Sequence, residues 1–345
     1  GSDLKPTLVE PTPAPPKPAG KSRGGLVFTG LLLLVIAAVG LFFVTQGNWL
    51  PKTLPAGVAQ VFLAHNHPVA PIQAVFASDV PRGSGLSSSA SVEAAFCTAW
   101  DHLGKLNLPL MTQAALCLEA ENNYVGVRCG IMDQFASLCG VNNHILQLDC
   151  RSLEWEAAPL PDNLSIVIAD TRVPRSLNTS AYNQRRQECE QAVQLLMGHL
   201  PDIRSLRDVS LGDFEKYGHI LPDPVNRRAR HVVEEIDRTR QAKTCLEDGD
   251  GAGFGRLMND CHASLRDLYE VSCPELDSMA AVARSLPGCL GARLTGAGFG
   301  GCTVNLVETQ QAENFVTALQ AGYCQNTGLE AEVFVTRASD GAGIL

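Results

Sequence analysis

Apolar and polar positions divide the chain into a short, biased head and a long globular remainder. Residues 1–23 form a polar arm with six prolines between Pro6 and Pro18, a composition that favours extended, solvated backbone. Residues 24–44 carry no charge and include Leu31-Leu-Leu-Leu-Val-Ile-Ala-Ala-Val39. Such a run is long enough to span a bilayer and lacks the polar face of a core helix, so residues 24–46 are predicted to be a transmembrane helix and membrane anchor. A cleaved signal fits less well, because no small-x-small site follows the run. Lys17, Lys21 and Arg23 precede it and only Lys52 closely follows, which by the positive-inside rule puts everything after Trp49 outside the cytoplasm.

Beyond residue 54 the periodicities mix. Residues 57–64 have helical spacing, residues 72–78 alternate as a strand, and the Ala-rich segment from Ser91 is helix-forming. A helix is predicted over 108–124, with Leu110, Ala114, Ala115, Leu118 and Ala120 facing inward and Gly126 ending it. Strands are expected at 144–149 and 164–170. A mainly helical stretch follows over 180–284, broken near 222–224 and 249–253. A strand at 302–307, a helix at 310–323 and a strand at 331–336 close the chain. The fold class is α+β, with domains at 54–175 and 176–345 and a boundary between 170 and 185.

Composition narrows the function. With 345 residues, 45% hydrophobic and 18% charged, the chain can build two cores. A net charge of −9 and the absence of a basic run interleaved with aromatics argue against nucleic acid as partner and favour small-molecule chemistry. The twelve cysteines lie between Cys97 and Cys324 with no C-x-x-C pair. They read as buried thiols kept reduced in a cytoplasm-like compartment, opposite to the side chosen by the positive-inside rule.

The densest chemistry is Pro81-Arg-Gly-Ser-Gly-Leu-Ser-Ser-Ser-Ala90. Gly83 and Gly85 allow a tight turn, and Ser84, Leu86, Ser87, Ser88, Ser89 and Ala90 lead into a helix start, where free N–H groups and the dipole seat a phosphate. The competing reading is an ordinary Ser-capped helix. The loop has no Gly-Lys-Ser/Thr ending and is not a Walker motif. Ser88 or Ser89 offers a hydroxyl to Mg2+ and Glu121 a carboxylate, unless Glu121 is a solvated helix-end charge. Asp133, among Ile131, Met132 and Phe135, is either a base or charge anchor for an acceptor hydroxyl or the N-cap of a helix after Gly130. Tyr182 either stacks on a sugar or packs at a domain junction. The turn over residues 295–301, with Gly296 and Gly298, brings backbone close to a ligand or is a plain tight turn. His231 and His262 read as structural.

The phosphate loop resembles that of the GHMP small-molecule kinases, P-x-x-x-G-L-S-S-S-A, at every fixed position. Within them the chain is similar to the galactokinase family. The likeness runs through Gly130-Ile-Met-Asp-Gln134, Ser180-Ala-Tyr-Asn183, Arg228-Ala-Arg-His231, Ser272-Cys-Pro-Glu-Leu-Asp277, residues 295–302 and Ala338-Ser-Asp-Gly-Ala-Gly343. It implies an S5-like N-terminal domain against a ferredoxin-like C-terminal domain, and transfer of the γ-phosphoryl of ATP to the anomeric hydroxyl of galactose. It also implies Asp133 as the catalytic aspartate, Glu121 and a loop serine (Ser88) as Mg2+ ligands, residues 83–90 on the ATP phosphates, and Gly130, Tyr182, Gly296 and Gly298 on the sugar. One departure stands out: the family's G-R-x-N-x-x-G-E-H-x-D-Y segment, with its arginine beside the catalytic aspartate, has no counterpart in this sequence. The alternatives it raises are a binding protein without turnover and a fused or truncated, inactive chain.

Overall fold

The computed structural model describes residues 54–81, 84–126, 129–173 and 178–344. The proline-rich arm and the apolar run at 24–46 lie outside them. Among the described residues no helix is long and apolar enough to cross a membrane.

Four helices form the N-terminal part: α1 (Leu54–Ala64), α2 (Ser88–Gly104), α3 (Leu110–Glu119) and α4 (Met132–Cys139). Leu54, Val58, Val61 and Phe62 follow the i, i+4, i+7, i+8 spacing of one helix face and are buried. They meet α2, where Val92, Phe96 and Trp100 repeat every fourth residue. On α3 the buried positions are Gln113, Ala114, Leu116 and Cys117, a stripe rotated from the expected one. Leu110 is 43% exposed and Ala115 points outward, because α3 packs on both α2 and α4 and so buries the face between them. Beyond α3 the chain does not stop but widens into a π-helical turn, Ala120–Val125, closed by Gly126 at φ 86°.

The strand predicted at residues 72–78 does not form. The segment is irregular and Val75 is 95% exposed, since an alternating run becomes a strand only beside a partner and none lies along it among the described residues. Its anchor is the Trp100 indole, whose Nε1 donates to the Ala70 carbonyl at 3.0 Å.

A two-stranded ribbon, β1 (His144–Leu148) with β2 (Trp155–Pro159), links to the C-terminal part. There β3 (Leu164–Asp170), β4 (Cys289–Leu294), β5 (Cys302–Glu308) and β6 (Glu332–Thr336) make one antiparallel sheet in the order β4-β5-β3-β6. β3 therefore pairs with strands from the far end of the chain, although the boundary read from the sequence lies after it. The helices are α5 (Asn178–Leu196), α6 (Leu211–Tyr217), α7 (Val225–Glu247), α8 (Gly251–Asp267), α9 (Pro274–Ser285) and α10 (Ala312–Thr327).

Strand alternation sorts the two sheet faces. Val167, Ala169 and Val307 meet Met279 and Ala280 of α9 and Phe315, Leu319 and Tyr323 of α10. Leu164 and Leu306 turn the other way onto Met258 of α8. That second face is close: a Cβ on Gly255 of α8 would stand 2.3 Å from the Leu290 carbonyl oxygen, and one on Gly291 of β4 would stand 2.3 Å from that of Gly255. A third cluster joins Ala192 and Leu196 of α5 to Phe214 of α6 and Val225, Ala229 and Val233 of α7.

All twelve cysteines are free thiols. Cys97, Cys117, Cys139, Cys261 and Cys302 are buried, whereas Cys150 and Cys324 are exposed, against the expectation that all are core residues.

Candidate active site

α2 begins without a side-chain cap. Ser87 occupies the N-cap position in the left-handed region, φ 58° and ψ 37°, and its side chain caps nothing. The ordinary Ser-cap reading is thereby set aside. Such a conformation costs a serine about 1–2 kcal/mol, and it leaves the first N–H groups of a 17-residue helix without a capping side chain. Gly85 is also at positive φ, 84°. Ser84 is buried and ties its hydroxyl to the Pro81 carbonyl at 2.9 Å. Gly83 lies outside the described residues.

In the first turn of α2, Ser89 donates its hydroxyl to Glu121 Oε1 at 3.1 Å. Ser89, and not Ser88, thus meets the carboxylate; the Ser88 carbonyl accepts from Ser91. Glu121 is 7% exposed, which removes the solvated helix-end reading, and the π-helical turn holds it there. Its other oxygen, Oε2, accepts from Gln134 Nε2 at 2.5 Å and from the Cys129 thiol at 3.3 Å. The same Gln134 nitrogen donates to Glu93 Oε2 at 3.1 Å. Burial, then the negative charge of Glu121, pushes Glu93 up to about 8, and burial with the same charge pushes the Cys129 thiol up to about 12. Neither Glu93, Gln134 nor Cys129 was singled out from the sequence. The signal was present: Glu93 is the one charge between Ser88 and Trp100, four residues after Ser89 and so on the same face.

Asp133 is not the N-cap of α4. Ile131 holds that position, and Asp133 lies in the first turn, where the helix dipole favours a carboxylate. Among the described residues its carboxylate has no hydrogen-bonding partner, and only its backbone carbonyl is engaged, by Ser137. Three residues earlier, a Cβ on Gly130 would meet nothing within 4 Å among the described residues. The far end of α4 is held by the C-terminal tail: Ala342 N–H donates to the Ser137 carbonyl at 2.9 Å and Gly341 N–H to that of Gly140 at 3.0 Å.

The second glycine-rich turn rests on two other segments. Phe299 N–H donates to the Val271 carbonyl at 2.7 Å, and Gly301 N–H to that of Val173 at 3.3 Å. Gly298, at φ 80°, has no room for a side chain, because a Cβ would lie 2.1 Å from the Val271 oxygen. Val271 follows Glu270, a half-exposed member of an ion network whose other members, Arg185, Glu188 and Arg228, are buried. Arg185 of α5 donates to Glu188 Oε2 at 3.1 Å and to the Tyr269 carbonyl at 2.6 Å. Arg228 of α7 donates to Glu188 Oε2 at 3.0 Å, to the Leu268 carbonyl at 2.6 Å and to Glu270 Oε2 at 2.5 Å. Tyr182 lies in α5, three residues before Arg185. His231 and His262 are structural, as expected: His231 Nδ1 bonds Ser264 at 2.8 Å and its ring stacks on Tyr269, while His262 Nδ1 accepts from the Leu294 N–H at 3.2 Å.

The chain carries the GHMP kinase pair of domains: residues 53–141 match the GHMP kinases N terminal domain and residues 242–324 the GHMP kinases C terminal domain. Similar proteins narrow the class. A galactokinase of Roseiflexus sp. (strain RS-1) is 49% identical over 287 residues, 83% of this chain and 73% of the relative, and that of Homo sapiens is 44% identical over 81% of this chain and 70% of its own length. The crystal structure of Lactococcus lactis galactokinase complexed with galactose superimposes with a TM-score of 0.79 at 35% identity, covering 87% of this chain and 78% of that one. A homoserine kinase from Cytophaga hutchinsonii, 18% identical with a TM-score of 0.57, shares the fold. The chain belongs to the galactokinase family.

Proposed function

We propose that the chain transfers the γ-phosphoryl group of ATP to the anomeric hydroxyl of galactose, giving galactose 1-phosphate. The observation that carries this reading is the uncapped start of α2 with Ser89 hydrogen-bonded to the buried Glu121, in a chain 44–49% identical to two galactokinases.

Residues 83–90 seat the ATP phosphates through backbone N–H groups at the start of α2. The donor set suits Mg2+: a hydroxyl and a carboxylate oxygen 3.1 Å apart are the hard oxygen ligands that ion takes together with phosphate oxygens and water. Ser89 and Glu121 would hold it, and bound there it neutralises phosphate charge. Asp133 accepts the proton of the anomeric hydroxyl and orients that oxygen for attack. Gly130 lets the sugar approach, and Tyr182 with Gly296 and Gly298 complete the sugar side.

The test is a coupled ADP-release assay with galactose, mevalonate or homoserine as acceptor, together with phosphorus NMR of the product. Galactose-dependent release with phosphate on the anomeric carbon is expected. ADP release driven by mevalonate or homoserine and not by galactose would overturn the assignment.

A further inference from the structure

The proposed metal ligand Glu121 does not stand alone. A single side-chain nitrogen, Gln134 Nε2, spends both of its N–H groups on two buried carboxylates, Glu121 Oε2 at 2.5 Å and Glu93 Oε2 at 3.1 Å. Glu93 and Gln134 are both 0% exposed. Burying such a group is expensive unless its polar atoms are used, yet Gln134 Oε1 and Glu93 Oε1 are buried without a partner among the described residues. The arrangement therefore sacrifices two acceptors in order to point one donor at Glu121. Packing alone would be served better by an apolar pair of the same volume.

The consequence is directional. With Oε2 taken by Gln134 and Cys129, the other oxygen, Oε1, is the one turned to Ser89. A free Glu side chain would sample several rotamers and present either oxygen. Glu93 lies on α2, four residues after Ser89, so the helix that supplies the hydroxyl also supplies the anchor for the amide.

We propose that Gln134 and Glu93 are positioning residues that lock the Glu121 carboxylate in the orientation needed for a divalent cation shared with Ser89. This rests on the reading of Ser89 and Glu121 as the metal ligands and goes beyond it by assigning the parts that aim them. Neither residue is placed on substrate, and each acts through Glu121.

The experiment compares binding of MgADP with binding of ADP in the presence of a chelator, by isothermal titration of the whole chain. Variants are Gln134→Asn, which keeps an amide but is one methylene short of Glu121, Glu93→Met, which removes the acceptor, and Glu93→Gln, which keeps a neutral acceptor. Thermal melts establish that each is folded. The wild-type chain is expected to bind MgADP more tightly than free ADP. Gln134→Asn and Glu93→Met are expected to lose about tenfold of that preference, the usual scale for groups that orient metal ligands, with free-ADP affinity unchanged within about twofold. Glu93→Gln should retain it. A wild-type preference for MgADP that persists in folded Gln134→Asn or Glu93→Met would overturn the positioning role alone. A wild-type chain that binds ADP with no preference for Mg2+ would overturn the metal reading and this inference with it. A purely structural role would lower the melting temperature and leave the ratio of the two affinities unchanged.

Discussion

Removing the Arg228 guanidinium should be among the most damaging single changes outside the phosphate site. Its side chain is 3% exposed, and the Glu188 carboxylate it meets is 10% exposed. Arg228→Ala deletes three hydrogen bonds, to Glu188, the Leu268 carbonyl and Glu270, and leaves Glu188 with Arg185 and the neutral Gln184 amide. Breaking a buried pair by removing one partner costs about 3–5 kcal/mol, because the remaining charge keeps its desolvation penalty. At about 2–4 °C per kcal/mol for a large domain, the melting temperature should fall by roughly 6–20 °C. Arg186→Ala is the internal control: it sits beside Arg185 on the same helix, but its pair with Glu190 is 61% and 58% exposed, and such surface pairs contribute only about 0.3–0.5 kcal/mol. Arg228→Lys should fall between the two, since an ammonium cannot reproduce the fork. Differential scanning calorimetry of the whole chain is the assay. If Arg228→Ala melts within about 2 °C of Arg186→Ala, the reasoning from burial is wrong. The same change should also raise the KM for galactose more than that for ATP, because Glu270 precedes the Val271 carbonyl on which the turn at 295–301 rests.

Gly255→Ala should destabilise by about 1–3 kcal/mol through overpacking of α8 on β4, and an unchanged melting temperature would show that the two elements can separate freely. Gly298→Ala, at positive φ against the Val271 carbonyl, should depress galactose turnover more than nucleotide binding; steady-state kinetics with both substrates separates the two. Burial, with the charges of Arg238, Arg293 and Arg228, pushes His231 down to about 3. An unfolded histidine titrates near 6.5, so the stability the folded chain owes to a neutral His231 is present above pH 6.5 and is lost as the pH falls toward 3. Melts of His231→Gln should accordingly decline less steeply than wild type from pH 6.5 to 4, and parallel curves would refute it.

The parts of the site that depend on local backbone were legible in the sequence. Glycine and serine before an Ala-rich helix, and Gly126 closing the helix that carries Glu121, follow from turn and helix-end chemistry. The choice of Ser89 over Ser88 was not legible, because it turns on the rotation of α2 relative to the π-helical turn, which is set by packing. The same holds for Gln134. Its place in the Gly130–Gln134 run was noticed, but the two carboxylates it bridges are 13 and 41 residues away. Residues 72–78 failed in the opposite direction: their alternation is genuine, yet pairing is a property of two segments, and no partner lies alongside among the described residues. The strand over 144–149 was read, but its partner β2 was missed because it is short, and α4 was offered only as the alternative reading of Asp133. Leu164–Asp170 pairs with strands from beyond the expected boundary because a strand does not announce which sheet it joins.

The most direct test of the central claim is transfer of label from γ-labelled ATP to galactose by the whole purified chain, run beside Asp133→Asn. Galactose 1-phosphate should form, and the variant should lose about 10²–10⁴ in rate while still binding ATP. A folded chain that binds ATP and forms no product, or an Asp133→Asn variant as active as the parent, would contradict the account.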